Sequence, residues 1–138
     1  MSALSACLDT SALIDLLNAS AARHAAVLAA FQKYKTTGMV FVTDVVFAEA
    51  SAGMPSPEAL RTALDELGIA MLEADDQALF LAGQTFKTYK QAKGDGKKDG
   101  VLPDFLIGAL AARNSVALVT FNDKDFVARF PRLEVVVP

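Results

Sequence analysis

The chain has 138 residues, 53% of them hydrophobic, with no Trp, a single Cys and a net charge of −3. That is enough apolar material to bury a real core in one domain. It excludes a disordered chain, a disulfide-stapled scaffold and a zinc site built on several cysteines. The N-terminus lacks a basic region, Asp9 interrupts its apolar stretch, and no apolar run reaches membrane-spanning length, so a cytoplasmic protein that avoids the membrane is expected.

Residues 3–8, ALSACL, read as a short buried strand ending at Asp9, with Cys7 packing as a small hydrophobe. Thr10 and Ser11 are suited to cap the helix that follows, which carries Leu13, Leu16 and Leu17 on one face. A second helix, roughly 21–35, places Val27, Leu28, Phe31 and Tyr34 at helical spacing, and its His24 reads as a surface residue. Gly38 precedes a strand over 39–42, after which Thr43 or Asp44 caps a helix closing at Gly53. Pro57 opens a helix that Gly68 stops, and residues 69–72 form a third strand.

A long helix over about 75–91 follows, with Leu79, Phe80, Ala82 and Phe86 expected on its buried side. Residues 93–102 contain three glycines and no periodicity, which reads as an exposed loop. Pro103 then starts a helix whose residues 105–112 include no polar side chain, so it should be buried nearly all round. Residues 116–119 make a fourth strand, 122–129 a short helix or turn, and 133–137 a last strand. Strands that are apolar throughout and alternate with helices indicate a three-layer α/β/α domain. Its central sheet should be mostly parallel, with four to five strands.

In such a sheet ligands bind beyond the carboxyl ends of the strands. Asp9 ends the first strand, Glu49 lies about a helical turn past the second, and Thr120, Asn122, Asp123 and Asp125 follow the fourth. Asp104 opens the helix leading into that fourth strand, near the positive end of its dipole. No Lys or Arg is adjacent in sequence to Asp9, Glu49 or Asp104. Carboxylates crowded into one cleft need protons or a cation, and an all-oxygen set selects Mg²⁺ or Mn²⁺. The chemistry that fits is phosphodiester hydrolysis by metal-activated water. Singly, Asp9 and Asp104 could equally be helix caps, and Thr10 and Thr120 either orient the acids or serve as structural hydroxyls.

The charge distribution is uneven. Within residues 84–100, Lys87, Lys90, Lys93, Lys97 and Lys98 stand against Asp95 and Asp99 on an otherwise acidic chain. Lys90, Lys93, Lys97 and Lys98 precede Asp104 and could counter the repulsion of a polyanion from an acidic cleft. A plain solvated helix face accounts for them as well.

Four blocks resemble the PIN-domain ribonucleases, and most closely the VapC toxins of bacterial toxin–antitoxin pairs. They are LDTSALIDLL at 8–17, TDVVFAEASAG at 43–53, LPDFLIGALAA at 102–112 and LVTFNDKDF at 118–126. The resemblance implies a PIN-like fold and an endoribonuclease acting on RNA. It further implies a Mg²⁺ or Mn²⁺ site held by Asp9 and Asp104, supported by Glu49 and a fourth-block residue, a cognate antitoxin and a homodimer. The lysine loop is then either an RNA contact or the antitoxin's docking place. The chain departs from the pattern at Asn122, where many members carry an acid, and at Phe121, where a basic residue is usual. Asp125 is therefore the preferred fourth carboxylate, with Asp123 facing solvent. Two alternatives stand beside the nuclease: a catalytically silent module of the same fold, and a Mg²⁺-dependent phosphotransfer protein. The latter is disfavoured because Ser11 occupies the place where haloacid-dehalogenase-type phosphatases need a second Asp.

Overall fold

The computed structural model describes residues 2–93 and 102–138. Strand β1 (Ala6–Leu8) leads into α1 (Thr10–Leu17) and α2 (His24–Thr37), then β2 (Val40–Thr43), α3 (Asp44–Ser51) and α4 (Pro57–Leu67). After β3 (Ile69–Leu72) come α5 (Asp76–Lys93), α6 (Leu102–Arg113), β4 (Ala117–Val119), α7 (Asp123–Arg129) and β5 (Val135–Val136). The strands form one sheet in the order β3-β2-β1-β4-β5, and every pairing is parallel. Helices cover it in a three-layer α/β/α arrangement, as the apolar strands imply; β1 and β4 are buried at every residue.

Local signals set several boundaries closely. The Ser56 hydroxyl accepts from the Ala59 N–H at 3.1 Å, Pro57 takes the first helical position, and Gly68 ends α4 at φ 67°, a left-handed conformation costly for other residues. Thr43, rather than Asp44, caps α3 by accepting from the Val46 N–H at 3.2 Å. Strand β1 is shorter than the apolar run suggests, beginning at Ala6, and Leu4 is 65% exposed. His24 opens α2 half-buried instead of riding its surface, its Nδ1 lying 2.9 Å from the Asp15 carbonyl oxygen.

Helix α6 is buried along Phe105, Ile107, Gly108, Ala109, Leu110 and Ala111. Its most extensive helix partner is α5, which meets it differently from expectation. Ala78 and Ala82 are buried, with Leu81, Phe86 and Tyr89 partly so, whereas Leu79 and Phe80 are 48% and 69% exposed. Ala82 and Phe86 thus lie inward as expected, but Leu79 and Phe80 do not; Ala78 is buried instead, since small side chains let helices approach closely. Gly108 shows the same economy of space: a Cβ there would come within 2.6 Å of the Phe130 Cδ2.

The topology also singles out one place. The chain runs outward from β1 through β2 to β3, then returns to the other side of β1 to lay down β4 and β5. The order therefore reverses between β1 and β4, and a crevice opens beyond their carboxyl ends.

Candidate functional site

Asp9 and Thr120 stand directly at that crevice. The β1–β4 register pairs Leu8 with Val119, and the Asp9 N–H continues it by donating to the Val119 carbonyl oxygen at 3.0 Å. One carboxylate oxygen of Asp9 accepts from the Thr120 hydroxyl at 2.7 Å and the other from the Thr10 N–H at 2.8 Å. Asp9 is thus itself the N-cap of α1, in place of Thr10 or Ser11. Being a cap does not release it from the crevice, since α1 starts where β1 ends. Only 7% of it is exposed. Burial raises the Asp9 carboxyl above its ordinary range, the two hydrogen bonds pull it back, and Glu49 pushes it up again.

Thr10, freed from capping, turns its hydroxyl to Glu49 Oε1 at 2.5 Å, joining α1 to α3. Glu49 is exposed beyond this contact. Asp104, in the first turn of α6, is half-buried, and its carboxyl is raised by burial and then by Asp9, against the pull of Arg129, with Glu49 and Asp125 raising it further. The fields of Asp9, Glu49 and Asp125 therefore all reach Asp104. Asp125 is exposed and lies 3.8 Å from Arg129. Asn122 is exposed at the start of α7, its side chain making no cap hydrogen bond, while its N–H donates to the Thr120 hydroxyl oxygen at 2.9 Å. Asp123 is half-buried, where the sequence reading left it in solvent.

The lysines are only partly within view. Lys90 is exposed, with its ammonium 5.7 Å from the Phe86 ring centre. Lys93 ends α5, its side chain outside the described residues, and Lys97 and Lys98 lie outside them altogether. Phe121, standing where a basic residue was expected, is overlaid by the Arg23 guanidinium at 3.8 Å. A cation thus reaches that place from α2's start through a contact no sequence block could display.

Arg129 is the residue that sequence reasoning passed over. Its side chain is 8% exposed, its guanidinium lies over Tyr89 and Phe105 at 4.8 and 4.4 Å, and its Nη1 is buried without an acceptor. The one available signal was the i, i+4 spacing from Asp125, which on a short helix reads as an ordinary surface pair. A cleft of about 1230 Å³ runs between α5 and the segment 129–134, and Asp9, Glu49 and Asp104 do not line it.

Among the described residues, no three His, Cys, Asp or Glu side chains converge tightly enough to enclose a metal as they stand. The donor chemistry nonetheless fits a hard dication. The groups are carboxylates, an amide and hydroxyls, and two of the carboxyls are raised, Asp9 by burial and Glu49, Asp104 by burial and then by Asp9, Glu49 and Asp125, a crowding that a cation would relieve. Cys7, buried just behind Asp9, is no competing ligand, for burial and Asp9 push its thiol up to about 12.

An open parallel sheet between two helical layers, with a buried acid, Asp9, where its strand order reverses, defines the class: a small three-layer α/β/α domain. More particularly, residues 6–132 match the PIN domain family, to which this chain belongs. No curated protein sequence matches the chain significantly. Among solved structures, the chain is similar to VapBC2 of Rickettsia felis, described as bound to a DNA fragment from their promoter: TM-score 0.71, 20% identity, covering 96% of this chain and 97% of that one. It is similar to VapBC-1 of nontypeable Haemophilus influenzae at TM-score 0.69 and 20% identity, with 96% of each chain covered. The Mycobacterium tuberculosis toxin VapC20, described as cleaving the sarcin-ricin loop, matches at TM-score 0.61 and 16% identity over 91% of this chain and 95% of that one. At these identities the likeness is one of fold.

Proposed function

We propose that this protein is a Mg²⁺- or Mn²⁺-dependent endoribonuclease, the toxin of a toxin–antitoxin pair, with Asp9 and Asp104 as principal metal ligands and Glu49 and Asp125 in support. The observation that carries the reading is geometric: Asp9 is held by Thr120 where the strand order reverses between β1 and β4, and Thr10 ties Glu49 in beside it. A bound dication would supply Lewis acidity and water activation at neutral pH, so no side-chain nucleophile is required.

The chain's own residues orient and balance. Thr120 and the Thr10 N–H hold both oxygens of Asp9, so its carboxylate is aimed before any ligand arrives. The Thr10 hydroxyl does the same for Glu49. Asn122, exposed beside Thr120, is suited to orient a water or a phosphate oxygen without adding charge. Lys90, Lys93, Lys97 and Lys98 are proposed to meet the RNA backbone. The toxin–antitoxin complexes among the structural neighbours support an antitoxin partner, and a homodimer is proposed with it. No helix among the described residues is long and apolar enough to cross a membrane.

The test is incubation of the purified protein with a structured RNA in Mn²⁺, with EDTA and Asp104→Asn as controls. Cleavage that needs the metal and vanishes in the variant is expected; cleavage by Asp104→Asn at the parent's rate would refute the site. One observation favours a second reading, a silent module of the same fold: the acids among the described residues do not close into a ready-made shell, and Asn122, next to Thr120, contributes an uncharged amide in place of an acid. Metal binding without turnover on any RNA would select it.

A further inference from the structure

Arg129 holds a position that packing alone does not demand. An arginine at the end of a seven-residue helix can extend into water at little cost. Here it is buried instead, over the Tyr89 and Phe105 rings, with Asp125 as its one ion-pair partner among the described residues, at 3.8 Å. Flat, weakly hydrated guanidinium suits such aromatic faces, but a buried cation with an unmet donor is costly unless nearby charge compensates. Nη1 is that unmet donor. The compensating charge at hand is the Asp125 carboxylate, whose Oδ2 lies 3.8 Å from Nη2.

Building on the metal-site reading above, we propose that Arg129 is a positioning residue, a built-in cation that balances Asp125 in the metal-free protein and thereby limits how tightly the site holds a divalent ion. The aromatic clamp is what makes this more than a surface ion pair. Two rings fix the guanidinium, so its charge stays beside the acids rather than swinging to solvent. A dication entering the cluster meets a positive charge already in place and competes with it for Asp125.

Two substitutions separate charge from packing. Arg129→Met keeps a long apolar side chain over Tyr89 and Phe105 and removes the charge, whereas Arg129→Lys keeps the charge and gives up the flat fork. Mn²⁺ binding is read by titration calorimetry and by the loss of the free-ion paramagnetic resonance signal, on the intact chain at low and high salt. Arg129→Met should bind Mn²⁺ roughly three- to tenfold more tightly than the parent, as expected for removing one charge at partly screened range, while Arg129→Lys stays within about twofold. The gap should narrow as salt rises. Arg129→Gln carries the same expectation as Arg129→Met should the latter fail to fold. Parent-like or weaker affinity in the neutral variants, or Arg129→Lys behaving as they do, overturns the proposal and leaves Arg129 a packing residue. A parent that binds no Mn²⁺ would remove the metal site itself, a result distinguishable from indifferent variants of a parent that binds.

Discussion

The Thr120 hydroxyl donates to Asp9 Oδ2 at 2.7 Å across 111 residues of sequence, and the same oxygen of Thr120 accepts the Asn122 N–H at 2.9 Å. Thr120 is fully buried and Asp9 nearly so. One hydroxyl therefore ties the end of β1 to the turn after β4, at the point where the sheet reverses.

Replacing Thr120 with Val preserves the shape and removes the donor, leaving a buried carboxylate oxygen short of a partner and the Asn122 N–H without its acceptor. Stability at neutral pH should fall by about 1–3 kcal/mol, and Thr120→Ser should restore most of it. Urea unfolding of the three proteins checks this.

Asp104 yields a pH prediction with a definite sign. Its carboxyl is raised, first by burial and then by Asp9, so the folded protein keeps that proton to higher pH than the unfolded chain does. The group thus costs nothing below the ordinary aspartate range and destabilises the fold as pH climbs through its raised value. In EDTA, Asp104→Asn should melt above the parent at neutral pH, and the advantage should fade as pH falls below the ordinary range. A melting-temperature series in acetate and phosphate buffers reads it.

A metal bound only by the folded state must stabilise it. At about a hundred times its Kd, Mn²⁺ should add about 2.7 kcal/mol. EDTA should reverse the gain, and Asp9→Asn and Asp104→Asn should lose most of it. Thermal melts with and without Mn²⁺ decide the matter without any assay of cleavage.

The Thr10–Glu49 contact is exposed, so its loss should be felt in chemistry more than in folding. Thr10→Ala is expected to change stability by less than about 0.5 kcal/mol. Single-turnover RNA cleavage should slow by on the order of tenfold, because Glu49 is no longer held in place.

Gly108 tests the packing behind the site. An added methyl would press on the buried Phe130 ring, so Gly108→Ala should destabilise by about 1–3 kcal/mol despite alanine's better helix propensity. Chemical denaturation measures the loss.

Much of this molecule was legible along the chain because the relevant signals are local. Ser56, Pro57 and Gly68 delimit α4 at Pro57–Leu67, and the apolar runs mark strands at or within a few residues of where they lie. Asp9, Glu49, Asp104 and Asp125 were named from strand ends and family-like blocks, and the structure sets the fields of the other three on Asp104. The inward face of α5 was only half read: Ala82 and Phe86 turn inward, but Leu79 and Phe80 do not, since which face turns inward depends on how the helices pack against each other. Arg129 was passed over for a similar reason. Its aromatic partners, Tyr89 and Phe105, are far from it in sequence and meet it only once α5, α6 and α7 are packed.

By itself the sequence determined where elements start and stop, that the strands would be parallel and covered, and which residue types could carry acid chemistry. Those outcomes rest on periodicity, capping and backbone preference, which act over a few residues. Tertiary structure alone decided that Asp9 caps α1 while facing Thr120, that Thr10 serves Glu49, and that a buried guanidinium sits beside the acids. Hydrogen bonds and Coulomb fields depend on distance in space, and that distance exists only after the sheet has brought β1 and β4 together.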